Sequence, residues 1–456
     1  SYSRAMKHYW TFLESEKLNW DEKQYRMKEL GTNVKKETLA GITTFVSMAY
    51  ILFVNPSVLG ASGMDKGAVF TATALSAILG CLLMAFLANY PIAIAPGLGD
   101  NAFFTYSVVL AMGIKWQTAL AGVVVASIIF TILTFFKIRE IVINAIPHNL
   151  KLAMAAGIGM FIAFIGLQGG GLVVASKSSL VQLGSLTVPT TWLTIFGLFV
   201  TALLMARKVP GSIFIGIVAT AILGLVTGLI KAPSQIVSSI PSMKPTFAVG
   251  IKHLGDVNTP QMWAVVLIFL LVAFFDTAGT LIGLAQQAGL MKNDKMPRIG
   301  QALMADSVSM LAGSVMGTTP TAAYVESSAG IAVGGRTGFT ALVVAVLFGF
   351  GMFFSPLLSV VTTQVTAPAL IIVGALMAQS LKEIEWDKFE IALPAFLTVI
   401  AMPLTYNISY GFAFAFLIYP ITMIAAGRKK ELNPVVIALF FVFIVMLYVL
   451  NVLPSK

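Results

Sequence analysis

Fourteen apolar stretches, each near the roughly 20 residues that a helix needs to cross a bilayer, fill residues 38–427 and leave the chain almost no other way to fold. They lie at 38–56, 67–88, 90–112, 116–136, 150–167, 191–206 and 211–229. After a polar loop at 230–258 they resume at 260–286, 299–316, 317–335, 338–356, 366–381, 389–405 and 409–427. Seven precede the loop and seven follow it, and the third of each set is interrupted. Tyr90–Ser107 reads YPIAIAPGLGDNAFFTYS, and Gly317–Gly335 reads GTTPTAAYVESSAGIAVGG. Non-helical backbone at membrane depth is tolerated only where protein buries it or where it lines a cavity. Each interrupted stretch is therefore expected to run as a short extended piece, over about 317–322 in the second, into a half-helix that faces a central cavity. Matching broken segments in two halves, the second half starting from the opposite side, point to an inverted repeat with a substrate site between them. The expected fold is an all-α polytopic membrane protein, a seven-plus-seven transmembrane inverted repeat whose two broken helices carry the extended segments.

Composition and charge agree with a membrane chain. Charged residues make up 11% of the sequence, about half the share in soluble domains. The net charge of +10 raises the question of a nucleic-acid partner, but about 22 of the 29 Lys and Arg fall in residues 1–36 and in alternate loops. That is the positive-inside bias, which sets the N-terminus in the cytoplasm and leaves no role for nucleic acid. Residues 1–36 read as a cytoplasmic, partly amphipathic arm without a signal-type apolar core. A single cysteine, Cys81, excludes a disulfide within the chain, and no metal site or cofactor motif is legible. His8, His148 and His253 lie at or beyond segment ends, so none suits a midplane proton relay. The expected units are a core bundle (37–136 and 259–358), a gate bundle (137–229 and 359–427), the extracytoplasmic loop 230–258 and an apolar C-terminal segment (428–456). Whether 434–453 is a fifteenth span stays open.

Four carboxylates are expected at membrane depth, Asp100, Asp276, Asp306 and Glu326, with no Lys or Arg beside them. An intramembrane charge costs at least about 2.5–3.5 kcal/mol on insertion scales, so each needs a partner, water or a proton. A cavity lined by carboxylates repels anions and suits a cation or a neutral molecule that offers N–H donors. Glu326, expected about one turn into its half-helix, can accept two N–H bonds from the flat edge of a heterocycle, with extended backbone supplying the complementary groups. Asp276, in AFFDTAGTL, has Phe274 and Phe275 to stack on a ring and Thr277 and Thr280 close by. A desolvated carboxyl favours its neutral form, which a proton carrier requires. Asp306 sits among small residues, which suits a structural or relay role. Asn101 offers a two-way amide at the start of its half-helix, and Asp100 beside it suits a helix cap.

With these residues assembled, the sequence resembles the nucleobase/ascorbate transporter superfamily, in its adenine/guanine/hypoxanthine permease branch. The resemblance is carried by ETLAGITTFVSMAYILFVNP (37–56), APGLGDNAFFTY (95–106), FFDTAGTL (274–281), TTPTAAYVESSAG (318–330) and PAFLTVIAMPLTY (394–406). Asp100 departs from it, standing where an apolar or small residue is expected. The resemblance implies a purine base held between the third and tenth elements and uptake coupled to a cation, H⁺ rather than Na⁺, commonly in a homodimer. It implies Asp276 and Glu326 as acidic substrate ligands and Asn101 as a third polar determinant, with Tyr324, Thr280 and Phe275 lining the site. Asp276, Glu326 and Asp306 are the candidates for proton coupling. The expectation is a multi-pass purine importer of the cell's plasma (inner) membrane. An anion carrier or a channel of the same architecture is the alternative. No HExxH, GxSxG or membrane-depth His occurs, so an intramembrane hydrolase lacks its parts and no enzyme activity is expected.

Overall fold

The computed structural model describes residues 24–293 and 295–453, without the side-chain surroundings of Glu140, Ile143, Phe275, Ala278 and Gly279. Most of the expected N-terminal arm therefore lies outside the described residues. The first span is two helices, α1 (Val34–Met48) and α2 (Ile51–Gly60), that meet at Ala49 and Tyr50. Asn33 caps α1 by accepting the Lys36 N–H at 3.0 Å, while Pro56 inside α2 withholds one helical hydrogen bond. Helix α3 (Lys66–Leu83) starts on an Asp65 cap. It ends in a wider turn, Met84–Ala88, that Asn89 stops with a left-handed φ of 54°.

The third element is broken as the sequence predicts. A strand, β1 (Ile94–Pro96), leads through Gly97 into the short helix α4 (Leu98–Ala102), which continues at wider pitch to Ala111. There follow α5 (Trp116–Phe135), an amphipathic helix α6 (Ile138–Ala145), α7 (His148–Gly169), a hairpin of β2 (Val173–Ser176) and β3 (Leu180–Leu183), α8 (Pro189–Ala206) and α9 (Ser212–Val226). The stretch 230–258 is not a free loop. It carries α10 (Val249–Lys252), which packs on α5, and the Ala248 N–H donates to the Val315 carbonyl at 2.7 Å.

The second half repeats the plan with α11 (Pro260–Gln287), α12 (Ile299–Met316), the broken element β4 (Thr321–Ala323) and α13 (Ser327–Ala332), then α14 (Gly338–Gly351), α15 (Thr363–Met377), α16 (Phe389–Thr405) and α17 (Ile408–Ala425). The chain is a seven-plus-seven transmembrane inverted repeat. The leftover stretch forms α18 (Pro434–Asn451), apolar and long enough to cross a membrane, packed on α17 and α11.

The halves interleave. Helix α1 packs on α13 and α14, α3 on α12 and α14, and α5 on α11 and α12. A second set joins α7 to α15 and α16, α8 to α9 and α15, and α16 to α17. Glycine makes the closest of these crossings possible: a Cβ added to Gly374 would stand 2.4 Å from the Gly159 carbonyl oxygen, so α7 and α15 touch backbone to backbone.

One expectation about charge is corrected. Arg139, which its position places in a basic loop, is fully buried. Its guanidinium lies 4.0 Å over the Phe130 ring and donates to Asp306 Oδ2 at 3.1 Å. Glu37 is a further buried carboxylate. It accepts from Thr32 Oγ1 (2.9 Å), the Arg336 N–H (2.8 Å) and Thr340 Oγ1, so it ties α1 to the start of α14. In both cases groups distant in sequence help to satisfy the charge, Asp306 for Arg139 and Arg336 and Thr340 for Glu37, which is why local patterning conceals it.

Candidate functional site

The two extended segments meet at the centre of the molecule. β1 and β4 pair antiparallel, Ile94 with Ala323, Ala95 with Ala322 and Pro96 with Thr321. The pairing continues at both ends, where the Gly97 N–H donates to the Pro320 carbonyl (3.0 Å) and the Tyr324 N–H to the Ala93 carbonyl (2.9 Å). The Tyr324 hydroxyl donates to the Pro96 carbonyl, and Ser327 Oγ accepts the Ala93 N–H at 2.9 Å. Each broken helix thus satisfies its exposed backbone on the other, which makes non-helical chain affordable at this depth.

Beside this ladder opens a cavity of about 630 Å³. One side is built by the broken segments, Gly97–Gly99 and Ala322–Glu326, with Tyr50 from the α1–α2 break and Asp276 from α11, and it carries the two carboxylates and two phenols of the lining. The facing wall is mostly apolar, with Met205, Val209, Ile213, Val373, Leu376 and Met377 from α8, α9, α15 and the α8–α9 turn. Lys208 and Pro210 of that turn sit at the rim. A flat molecule that enters meets hydrogen-bonding groups along one edge and aliphatic side chains opposite.

Glu326 stands at the N-cap of α13, earlier than the position one turn into the helix that the sequence suggests, because Tyr324 and Val325 remain non-helical. Its Oε1 accepts a 2.6 Å hydrogen bond from Tyr50 Oη. Tyr50, absent from the sequence-derived set, reaches Glu326 from the break between α1 and α2. The available signal is a lone phenol in the apolar run SMAYILFVNP. Asp276, about midway along α11, also lines the cavity.

Other candidates are placed elsewhere. Asn101 is fully buried and donates from Nδ2 to Asn55 Oδ1 at 2.8 Å; Asn55 in turn donates to Thr73 Oγ1 (2.7 Å) and Thr318 Oγ1 (2.9 Å). This amide chain ties α4 to α2, α3 and the segment before β4, off the cavity. Thr280 returns its hydroxyl to the Asp276 carbonyl at 2.8 Å and is not among the lining residues. The side chain of Phe275 falls outside those described. Its neighbour Phe274 is buried against Phe130, with ring centroids 4.9 Å apart, and does not stack over the cavity. Asp306 is engaged by Arg139 on Oδ2 and by Thr321 Oγ1 on Oδ1 (2.9 Å), also off the cavity. Asp100 makes no side-chain cap; Gly97 holds the N-cap of α4. Among the described residues no group of three or more His, Cys, Asp or Glu could hold a metal ion.

Comparison with known proteins places this geometry in a family. A family model described as "Permease family" matches residues 35–414. The guanine/hypoxanthine permease PbuG of Bacillus subtilis (strain 168) is 54% identical over 429 residues, 92% of this chain and 98% of that protein. The adenine permease AdeQ of Escherichia coli (strain K12) is 42% identical over 422 residues, covering 92% and 94%. Among solved structures, the transmembrane domain of a cyanobacterial bicarbonate transporter, BicA, superimposes with a TM-score of 0.60 at 15% identity, over 86% of this chain and 97% of that one. SLC26A9 gives 0.64 at 12% identity, over 89% and 67%. At such identities these two structures speak for the fold alone.

Proposed function

The chain belongs to this permease family, the nucleobase/ascorbate transporters, and from that premise we propose that it imports purine nucleobases, hypoxanthine or guanine and also adenine, by proton symport across the plasma membrane. The observation that carries the reading is the polar edge of the cavity. Glu326, oriented by the Tyr50 hydroxyl, and the backbone at the end of β4 present acceptors and donors in one strip opposite an aliphatic wall. A purine base has the matching form, N–H and C=O groups around a flat rim. Asp276, on the same cavity, is assigned to substrate contact and to proton exchange, and Glu326 to recognition of the base. Asn101, Thr280 and Asp306 are assigned to holding the framework, with Asp306 the relay candidate among them.

The helices that carry the broken segments, with those interleaved among them, form the proposed core bundle. The set around α7, α8, α9, α15, α16 and α17 forms the gate. The cavity lies between the two and opens beside the Lys208–Ser212 turn, which the charge bias assigns to the cytoplasm, so this conformation is read as inward-facing. An anion carrier of the same fold is disfavoured by Asp276 and Glu326 in the cavity wall, against a single lining cation, Lys208, at the rim.

Uptake of labelled hypoxanthine into proteoliposomes, competed by a panel of bases, tests the assignment. Uptake should follow an imposed pH gradient and collapse with a protonophore. Uptake that ignores every ion gradient rejects symport, and absence of counterflow exchange favours a channel.

A further inference from the structure

The cavity gives Asp100 no partner. It lies in the first turn of α4, fully buried, and neither carboxylate oxygen has a hydrogen-bond partner among the described residues. The buried cation of this region, Arg139, is committed to Asp306. The Asp100 side chain turns back over Gly97. A Cβ placed on Gly97 would stand 2.8 Å from Asp100 Oδ2 and 3.2 Å from Asp276 Oδ2. Two carboxylates, one on α4 and one on α11, therefore converge on one point above a residue with no side chain to keep them apart. Asp276 lines the cavity and Asp100 does not, so the pair has an outer and an inner member.

Two carboxylates drawn to one point, Asp100 fully buried and Asp276 on the cavity wall, with no cation between them, disfavour the doubly ionised state and favour one proton held between the two. A metal ion is the less suitable occupant, since no third acidic, His or Cys side chain completes a cluster among the described residues. We propose that Asp100 and Asp276 form a proton-sharing pair and that this pair carries the coupling proton of the transport cycle. The proposal rests on the symport reading above and assigns it a site. Loading adds one proton to a pair that already holds one and takes it from a net charge of minus one to neutral. Release returns that proton to water through Asp276, so only O–H bonds are made and broken. The ionisable groups facing the pair are already occupied. Asp306 on α12 is held by Arg139 and Thr321, Glu326 at the start of α13 by Tyr50, and the Tyr324 hydroxyl by Pro96. From α2 comes the neutral Asn55, and α7 brings Ile158 against Gly99.

The test uses the full chain in proteoliposomes, with labelled hypoxanthine and a pH-sensitive dye trapped inside. Asp100→Asn should retain measurable counterflow exchange but lose at least about tenfold in accumulation driven by a pH gradient, with a matching loss of hypoxanthine-dependent proton entry. Asp100→Glu should keep coupling with a displaced pH profile. Gly97→Ala, which puts a methyl group against both carboxyls, should displace the profile of coupled uptake as well. Accumulation and proton-to-base ratio in Asp100→Asn equal to wild type would overturn the pair. So would loss of counterflow in Asp100→Asn that Asp100→Glu does not restore, which would mark the position as structural. A wild type that exchanges hypoxanthine yet ignores the pH gradient defeats proton coupling. One that exchanges no purine base defeats the transport reading itself.

Discussion

Glu326 and Tyr50 are separated by 276 positions and joined by one hydrogen bond of 2.6 Å, and the proposed recognition of the base rests on that bond. A hydrogen bond to a charged acceptor contributes about 1.5–3 kcal/mol, so Glu326→Gln, which turns an acceptor oxygen into a donor, should weaken hypoxanthine binding by about 10–150-fold while the protein still folds. Tyr50→Phe should weaken it less, because the carboxylate remains and only its orientation loosens. Equilibrium binding to purified protein measures both, and wild-type affinity in Glu326→Gln would remove that residue from the site. The Arg139–Asp306 pair predicts a different outcome. Breaking a buried ion pair on one side costs about 3–5 kcal/mol, whereas replacing both members by apolar residues is often neutral. Arg139→Leu should therefore lower the melting temperature in detergent, and Arg139→Leu with Asp306→Leu should recover most of the loss. Equal destabilisation by the single and double variants would show that the pair is not what holds α6 to α12.

At the level of elements, the two broken helices complete each other. β1 and β4 are three residues each and pair with one another along their whole length, and the Tyr324–Pro96 bond extends the contact. The cavity's facing wall is held by close helix crossings together with a few hydrogen bonds, such as that from the Thr194 hydroxyl on α8 to the Gln364 carbonyl on α15 (3.0 Å). Because Gly374 meets the Gly159 carbonyl with no room for a Cβ, Gly374→Leu should force α7 and α15 apart. Overpacking of this kind costs about 1–3 kcal/mol, to be read as a lower melting temperature together with reduced hypoxanthine binding, since Val373, Leu376 and Met377 on α15 line the cavity. Unchanged melting and binding would mean that the crossing is slack.

For the whole molecule, the prediction concerns access. Val325 is 63% exposed, into the cavity, while Cys81, the single cysteine of the sequence, is buried. Val325→Cys should react with a membrane-impermeant maleimide from the side of the Lys208–Ser212 turn, and saturating hypoxanthine should slow the reaction several-fold. Labelling only from the opposite side would reverse the proposed orientation. The span pattern, the two interruptions, their shared third place and the acidic residues Asp276 and Glu326 were all legible in the chain, because each is a local property: the length of an apolar run, a proline or glycine within it, a charge where lipid tolerates none. Asn101's turn toward Asn55, the burial of Arg139 against Asp306, the arrival of Tyr50 at Glu326 and the meeting of Asp100 with Asp276 over Gly97 were decided by the tertiary structure. Each depends on which distant helix supplies the partner, and a buried polar group must find that partner wherever the packing brings one within reach.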